Sequence, residues 1–138
     1  IVHRDIVTKQ IINTDTIENN VYLIKSYLDM DDSLINCAVN AGAKGIVIEA
    51  MGRGNLPPKA LAGVKYALKN NVVVVIVSRC PSGRVMESYG YEGGGKDLTS
   101  MGVVLGGELN GQKARLKLMV ALGYTDDIDE IRNIFKIS

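Results

Sequence analysis

Tryptophan is absent from these 138 residues, and histidine occurs once, at His3. Aromatic residues make up 5% of the chain, which leaves few side chains to stack on bases, sugars or flat cofactors. The two cysteines, Cys37 and Cys80, belong to no CxxC pair, so the ligands of a zinc site are missing. We therefore expect no metal and no cofactor.

The two cysteines are also expected to be buried thiols. Cys37 lies in a helical pattern and Cys80 ends an apolar run, and free cysteine behaves as a small apolar residue. Their sequence positions disfavour a disulfide between them without excluding one.

Long apolar runs and charge of one sign are lacking as well. No stretch approaches the roughly 20 apolar residues of a membrane-spanning helix. The 16 basic and 15 acidic residues are interspersed and leave a net charge of +1. We therefore expect neither nucleic acid nor a membrane as partner. The chain starts at Ile1 with no initiating methionine and no signal peptide, which predicts a fragment whose cellular location stays open.

Short apolar segments alternate with helical patterns along most of the chain. The clearest is 72–77, six consecutive β-branched residues, which indicates a strand covered on both faces. Other strands are predicted at 21–28, 43–51 and 102–105. Helices are predicted after Asp32 or Ser33, after Pro58, near 97–100, after Asn110, and from Thr125 or Asp126.

This alternation predicts an α/β fold, a small flavodoxin-like three-layer sandwich of about four parallel strands with helices on both faces. We assign 21–138 to this domain and 1–20, polar and without helical period, to an interdomain linker with one strand at most. Parallel sheets place ligands at the carboxyl ends of their strands. Those ends lie after Leu28, Met51, Cys80 and Leu105.

The loop 52–58, Gly-Arg-Gly-Asn-Leu-Pro-Pro, admits two interpretations from its residues alone. A glycine-rich loop before a helix is typical of phosphate sites. However, the third glycine of GxGxxG is missing, and prolines, which have no N–H, stand where the phosphate would be held. The alternative is a turn whose glycines satisfy positive φ angles.

Other polar residues suggest chemistry only by type. Asp29, Asp31 and Asp32 follow the first strand as in a magnesium pocket, but no phosphorylatable aspartate ends a later strand, and helix capping explains them better. Ser78 and Ser82 lie outside any GxSxG elbow and lack a histidine base. The neighbours Lys96 and Asp97 could form a general-base pair or, more commonly, a surface ion pair. We find no catalytic centre among these residues.

Five segments, taken together, resemble the C-terminal domain of bacterial-type L-asparaginases, in the order and at the spacing of that family. The resemblance extends from about Val21 to the end of the chain. The segments are GIVIE at 45–49, GRGNLPP at 52–58, VSRCPSGRV at 77–85, YGYEGGG at 89–95 and LNGQKAR at 109–115.

This resemblance implies hydrolysis of the side-chain amide of L-asparagine, and in some members of L-glutamine, by a threonine nucleophile. The nucleophile and its Thr-Asp-Lys group belong to an N-terminal domain, and neither motif occurs in this chain. It also implies a dimer or tetramer in which the C-terminal domain lends an asparagine and a carboxylate to the neighbouring subunit's substrate pocket. These map onto Asn55 and Glu92, with Glu87 as an alternative to Glu92.

Two functions stay open at this point. One is an amidohydrolase domain, inactive alone, that supplies substrate-binding residues and an oligomer interface. The other is a flavodoxin-like binding or regulatory module without chemistry. Between them lies the asparaginase-like component of a transfer-RNA-dependent amidotransferase, which uses glutamine.

Overall fold

A computed structural model describes residues 9–81 and 93–137 and shows four strands and five α-helices in that part of the chain. The strands are β1 (Val21–Lys25), β2 (Gly45–Ala50), β3 (Val73–Ser78) and β4 (Val104–Leu105). The helices are α1 (Ser33–Asn40), α2 (Leu61–Lys69), α3 (Gly95–Met101), α4 (Gly111–Tyr124) and α5 (Ile128–Lys136). No helix among the described residues is long and apolar enough to cross a membrane.

All four strands are parallel and stand in sequence order, β1-β2-β3-β4. The predicted α/β fold with about four parallel strands is therefore confirmed. Because all the described strands are parallel, their carboxyl ends lie at the same edge of the sheet. This carboxyl edge carries the loops after β1, β2 and β3.

The central strands show why the sheet forms here. All six residues of β3 are buried, as the β-branched run predicts for a strand covered on both faces. In β2, Gly45 faces Leu118 and Leu122 of α4, while Gly63 of α2 meets Ile35 of α1. Helices α1 and α2 thus pack together on one face of the sheet, and α4 covers the other.

The N-terminal caps of the helices agree in part with those predicted from the sequence. Asn110 caps α4 as predicted, because its side-chain oxygen accepts from the Lys113 N–H at 2.8 Å. Asp32 precedes α1 but makes no side-chain cap; Asp31 instead accepts from the Ser33 N–H at 2.9 Å. Helix α5 starts later than predicted because Asp127 caps it through the Asp129 N–H.

Residues 9–20 contain no helix or strand and lie on α4 and α5. Gln10 donates to the Ile134 carbonyl, and Thr16 donates to the carbonyl of Gly123. The Glu18 N–H donates to the Met119 carbonyl at 3.0 Å. A Cβ atom at Gly123 would collide with the Thr16 carbonyl oxygen. This segment is therefore fixed against the domain along its described length.

The prediction that both cysteines are buried is wrong. Cys37 and Cys80 are free and exposed. Cys37 lies on the flank of α1 beside β1, the outermost of the described strands on this side of the sheet. Cys80 follows β3 at the point where the chain leaves the sheet.

Candidate functional site

A surface depression of about 480 Å³ lies at the carboxyl edge of the sheet, between the loops that follow β1 and β2. Its walls are mainly apolar, and two of the residues that line it, Asp29 and Asn55, have polar side chains. Leu28 at its rim is 84% exposed. The lining residues are Leu28, Asp29, Met51, Asn55, Leu56, Pro57 and Pro58.

The glycines after β2 turn the chain back on itself within three residues. Gly52 and Gly54 have φ angles of 52° and 115°, which residues other than glycine rarely adopt. Met51 and Asn55 exchange hydrogen bonds of 2.9 and 2.8 Å across this turn, and the Gly54 N–H donates to the Met51 carbonyl. The N–H groups of Gly54 and Asn55 are thus directed inward, which favours the turn interpretation over a phosphate loop.

This turn holds Asn55 in the wall of the depression. Its side-chain amide oxygen is shielded from solvent and accepts no hydrogen bond from the described residues. A buried acceptor without a donor costs about 1–3 kcal/mol. Asn55 therefore keeps an acceptor that no donor among residues 9–81 and 93–137 uses.

A second segment is bound beside Asn55. The Gly93 carbonyl accepts from the Leu56 N–H at 2.9 Å, and the Gly93 N–H donates to the Asp97 carboxylate at 3.0 Å. Asp97 thus positions the chain that follows Glu92. Glu92 and the alternative Glu87 lie outside the described residues, as does Ser82.

This role of Asp97 differs from the two that its sequence suggests, a general-base pair or a surface ion pair with Lys96. The signal was present, because Asp97 stands in the first turn of α3, after three glycines. An acidic residue there commonly reaches back to an N–H that precedes the helix.

Two buried serines tie the strand ends together. The Ser78 hydroxyl donates to the Gly52 carbonyl at 2.6 Å and accepts from the Cys80 N–H at 3.0 Å. The Ser26 hydroxyl donates to the Glu49 carbonyl at 2.7 Å. The two bonds of Ser78 connect its hydroxyl to the glycine turn and to the chain after β3. The role of this hydroxyl in the described structure is therefore positioning rather than nucleophilic attack.

Two of the three aspartates after β1 have different partners. Asp29 pairs with Lys59 at 3.0 Å, and Asp31 accepts from the hydroxyl and the N–H of Ser33. These hydrogen bonds from Ser33 lower the pKa of Asp31. Among residues 9–81 and 93–137, no three His, Cys, Asp or Glu side chains lie close enough to hold a metal ion.

The depression can thus bind rather than react. Among the described residues that line it, Asn55 and Asp29 carry polar side chains, and neither is paired with a base and nucleophile. An amide acceptor in an apolar wall suits the orientation of a small polar ligand. Reacting groups would have to come from elsewhere.

The family described as the glutaminase/asparaginase C-terminal domain matches residues 20–135 of this chain. The match contains all four strands and all but the last residue of α5.

Individual relatives carry two kinds of name. An L-asparaginase of Bacillus licheniformis is 42% identical over 102 residues, or 74% of this chain and 32% of its own length. A probable L-asparaginase of Deinococcus radiodurans is 35% identical over 120 residues, covering 87% of this chain and 36% of its own length. A glutamyl-tRNA(Gln) amidotransferase subunit from Methanobrevibacter smithii is 35% identical over 119 residues, covering 86% of this chain and 27% of its own length. The chain thus spans about a third of the length of the relatives it matches.

Proposed function

We propose, because this chain belongs to the glutaminase/asparaginase C-terminal domain family, that it is part of a longer amidohydrolase. That longer protein would convert L-asparagine to L-aspartate and ammonia. In this proposal the chain supplies substrate-binding residues and an oligomer interface. The threonine nucleophile lies in a preceding domain. The observation that carries the proposal is Asn55, which lines a mainly apolar depression and whose shielded side-chain oxygen has no hydrogen-bond donor among the described residues.

Asn55 would hold the α-amino end of the substrate. Once the side chain turns toward the depression, its oxygen can accept from an ammonium group and its NH₂ can orient a nearby carboxylate. The rigid turn between Met51 and Asn55 fixes the backbone from which this side chain reaches. A substrate donor would also remove the cost of the unpaired oxygen.

Glu92 is our candidate for the carboxylate that shares this task. Gly93, its neighbour in the chain, is hydrogen-bonded to Leu56, the neighbour of Asn55. Because consecutive Cα atoms are about 3.8 Å apart, this bond favours Glu92 over Glu87 as the partner of Asn55. Glu92→Gln and Glu87→Gln in the longer protein separate the two, since only the first should raise the KM.

The family's nucleophile motifs are absent from this chain, so we expect it to release no ammonia from asparagine by itself. The longer protein should do so through a homodimer or homotetramer. Residues 1–20 would then be the linker between its two domains. The contacts of residues 9–20 with α4 and α5 support a linker whose C-terminal part is fixed against this domain.

A second candidate function is that of an amidotransferase component that takes its amide nitrogen from glutamine. Its support is specific: relatives named as glutamyl-tRNA(Gln) amidotransferase subunits, from Methanobrevibacter smithii and Pyrococcus furiosus, align with 86% and 87% of this chain. The Bacillus asparaginase aligns with 74% of it at higher identity.

An ammonia-release assay separates these candidates. The longer protein is tested on asparagine and glutamine, with and without glutamyl-tRNA(Gln), beside the 138-residue chain. Release from asparagine without tRNA, and none by the isolated chain, is the expected result. Dependence on the tRNA would favour the second candidate, and turnover by the isolated chain would overturn our placement of the nucleophile.

A further inference from the structure

Strand β1 forms one outer edge of the described sheet and is covered less than the other long strands. In β2 and β3 the burial is nearly complete, whereas in β1 Tyr22 and Leu23 are 38% and 36% exposed. These two side chains point to opposite faces because they are consecutive in a strand. The edge is therefore flanked by exposed apolar surface on both sides.

The backbone of β1 also has hydrogen-bonding groups that do not pair with β2. The Ser26 N–H donates to the Glu49 carbonyl, and the Gly45 N–H donates to the Asn20 carbonyl, so the even-numbered residues of β1 turn toward β2. The N–H and C=O groups of Val21, Leu23 and Lys25 then turn outward. Among the described residues, the contact made to these outward groups is one hydrogen bond from the Arg115 side chain to the Val21 carbonyl at 2.8 Å.

A groove of about 350 Å³ continues this edge between β1 and α1. Leu34 and Cys37 of α1 line it and are exposed. Natural edge strands are usually protected by proline, bulges or charged side chains, especially lysine. β1 contains no proline, and its one charged residue, Lys25, is paired with Glu49 at 3.4 Å. Such an edge is suited to accept another strand.

We propose that β1 pairs antiparallel with β1 of a second copy of this chain, about a two-fold axis at Leu23. Several antiparallel registers place outward groups opposite each other, and this one pairs all five residues of β1 with all five of its copy. The two Leu23 residues then exchange both backbone hydrogen bonds. It places Tyr22 opposite Ile24 and Val21 opposite Lys25. The Val21 carbonyl keeps a second lone pair for the Lys25 N–H beside Arg115.

The side chains fit this register. On the face toward α1, Tyr22 meets Ile24 of the second copy, an aromatic and β-branched pair of the kind that stabilises antiparallel strands. On the face toward α4, the two Leu23 side chains meet, and each Lys25 stands opposite a valine rather than another lysine. No like charges oppose each other, and two self-complementary patches form a closed dimer.

The paired edge is five residues long, so the dimer should be weak and should dissociate on dilution. The inference does not rest on the role of Asn55, because Leu23 lies outside the depression that Asn55 lines. A failed test of the β1 dimer therefore does not bear on the role of Asn55, and a failed test of Asn55 does not bear on the dimer.

Sedimentation equilibrium of the 138-residue chain, with reductant to keep the exposed cysteines free, tests the proposal. We expect the apparent mass to rise from monomer toward dimer between about 1 µM and about 500 µM. Leu23→Lys places two ammonium groups at the axis and should weaken association at least about tenfold. The matched control is Leu116→Lys, which changes an exposed leucine on α4 and should leave association unchanged.

Charge reversal makes the test specific to this register. A mixture of Leu23→Lys and Leu23→Glu should associate more tightly than either variant alone, because opposite charges then meet at the axis. Leu23→Pro serves if the charged variants fold poorly, since it removes an outward N–H and keeps the bonds to β2. A wild-type chain that stays monomeric, a Leu23→Lys variant that dimerises normally, or a mixture no tighter than its components would overturn the proposal.

Discussion

The α4 side of the sheet and its carboxyl edge differ in how far the chain covers its own apolar surface. Under α4, Leu118 is fully buried against β2, and residues 9–20 lie over the end of the helix. At the carboxyl edge, Leu28 is exposed and the Asn55 oxygen has no described partner. The first region is a completed interior, whereas the second is a surface that another molecule or domain can complete.

One substitution made in both regions should give the largest contrast. Leu118→Ala is expected to lower the free energy of unfolding by about 2–5 kcal/mol, because it leaves a cavity under α4. Leu28→Ala should change it by less than about 0.5 kcal/mol, since the side chain is 84% exposed. Urea denaturation of both variants checks this, and equal losses would show that the two regions do not differ.

Gly123→Ala tests whether the chain itself closes the α4 side. Alanine in a helix is normally more stable than glycine by about 1 kcal/mol, but here its Cβ would collide with Thr16. We expect the segment 9–20 to detach and protection of the Glu18 amide from hydrogen exchange to fall at least about tenfold. Tyr124→Ala, at the exposed neighbour, is the control. Unchanged protection in Gly123→Ala would mean that this segment is not held by close packing at Gly123.

The elements that depend on local patterns were predictable. The β-branched run predicted β3 within one residue of its bounds, and Asn110 predicted the start of α4. Strand β1 was predicted to reach residue 28 but ends at Lys25. Beyond it, Ser26 bonds to the Glu49 carbonyl and Asp29 takes a φ of 63°, which turns the chain out of the sheet.

Features that depend on distant parts of the chain were not predictable in the same way. Helical spacing placed Cys37 on α1 but could not show that the outermost described strand lies beside it. The position of Asn55 followed from its place after β2, whereas its unpaired oxygen depends on how the turn folds. The link from Asp97 through Gly93 to Leu56 joins segments far apart in sequence.

The smallest expected effect concerns Asp31 at the carboxyl edge. Its pKa is lowered mainly by the Ser33 hydroxyl, so its folded pKa lies below its unfolded one. The resulting stabilisation is present above the unfolded pKa and is lost as the pH falls through the folded pKa. Ser33→Ala should raise the pKa of Asp31 toward its ordinary value. NMR titration of the Asp31 carboxyl carbon measures this, and an unshifted pKa would contradict the assigned cause.

The central claim is that Asn55 is kept for a ligand and not for the fold. Asn55→Ala should therefore leave the unfolding free energy of this chain unchanged or slightly higher, because it removes an unpaired buried acceptor. Asn36→Ala, in α1, is the matched control, since Asn36 also has a shielded and unpaired side-chain oxygen among the described residues.

The decisive measurement is the KM for asparagine of the longer protein, determined beside the unfolding free energy of this chain for both variants. We expect Asn55→Ala to raise the KM about tenfold without loss of stability, and Asn36→Ala to leave the KM unchanged, also without loss of stability. A destabilised Asn55→Ala variant with an unchanged KM would show that Asn55 is a turn residue and would contradict the account.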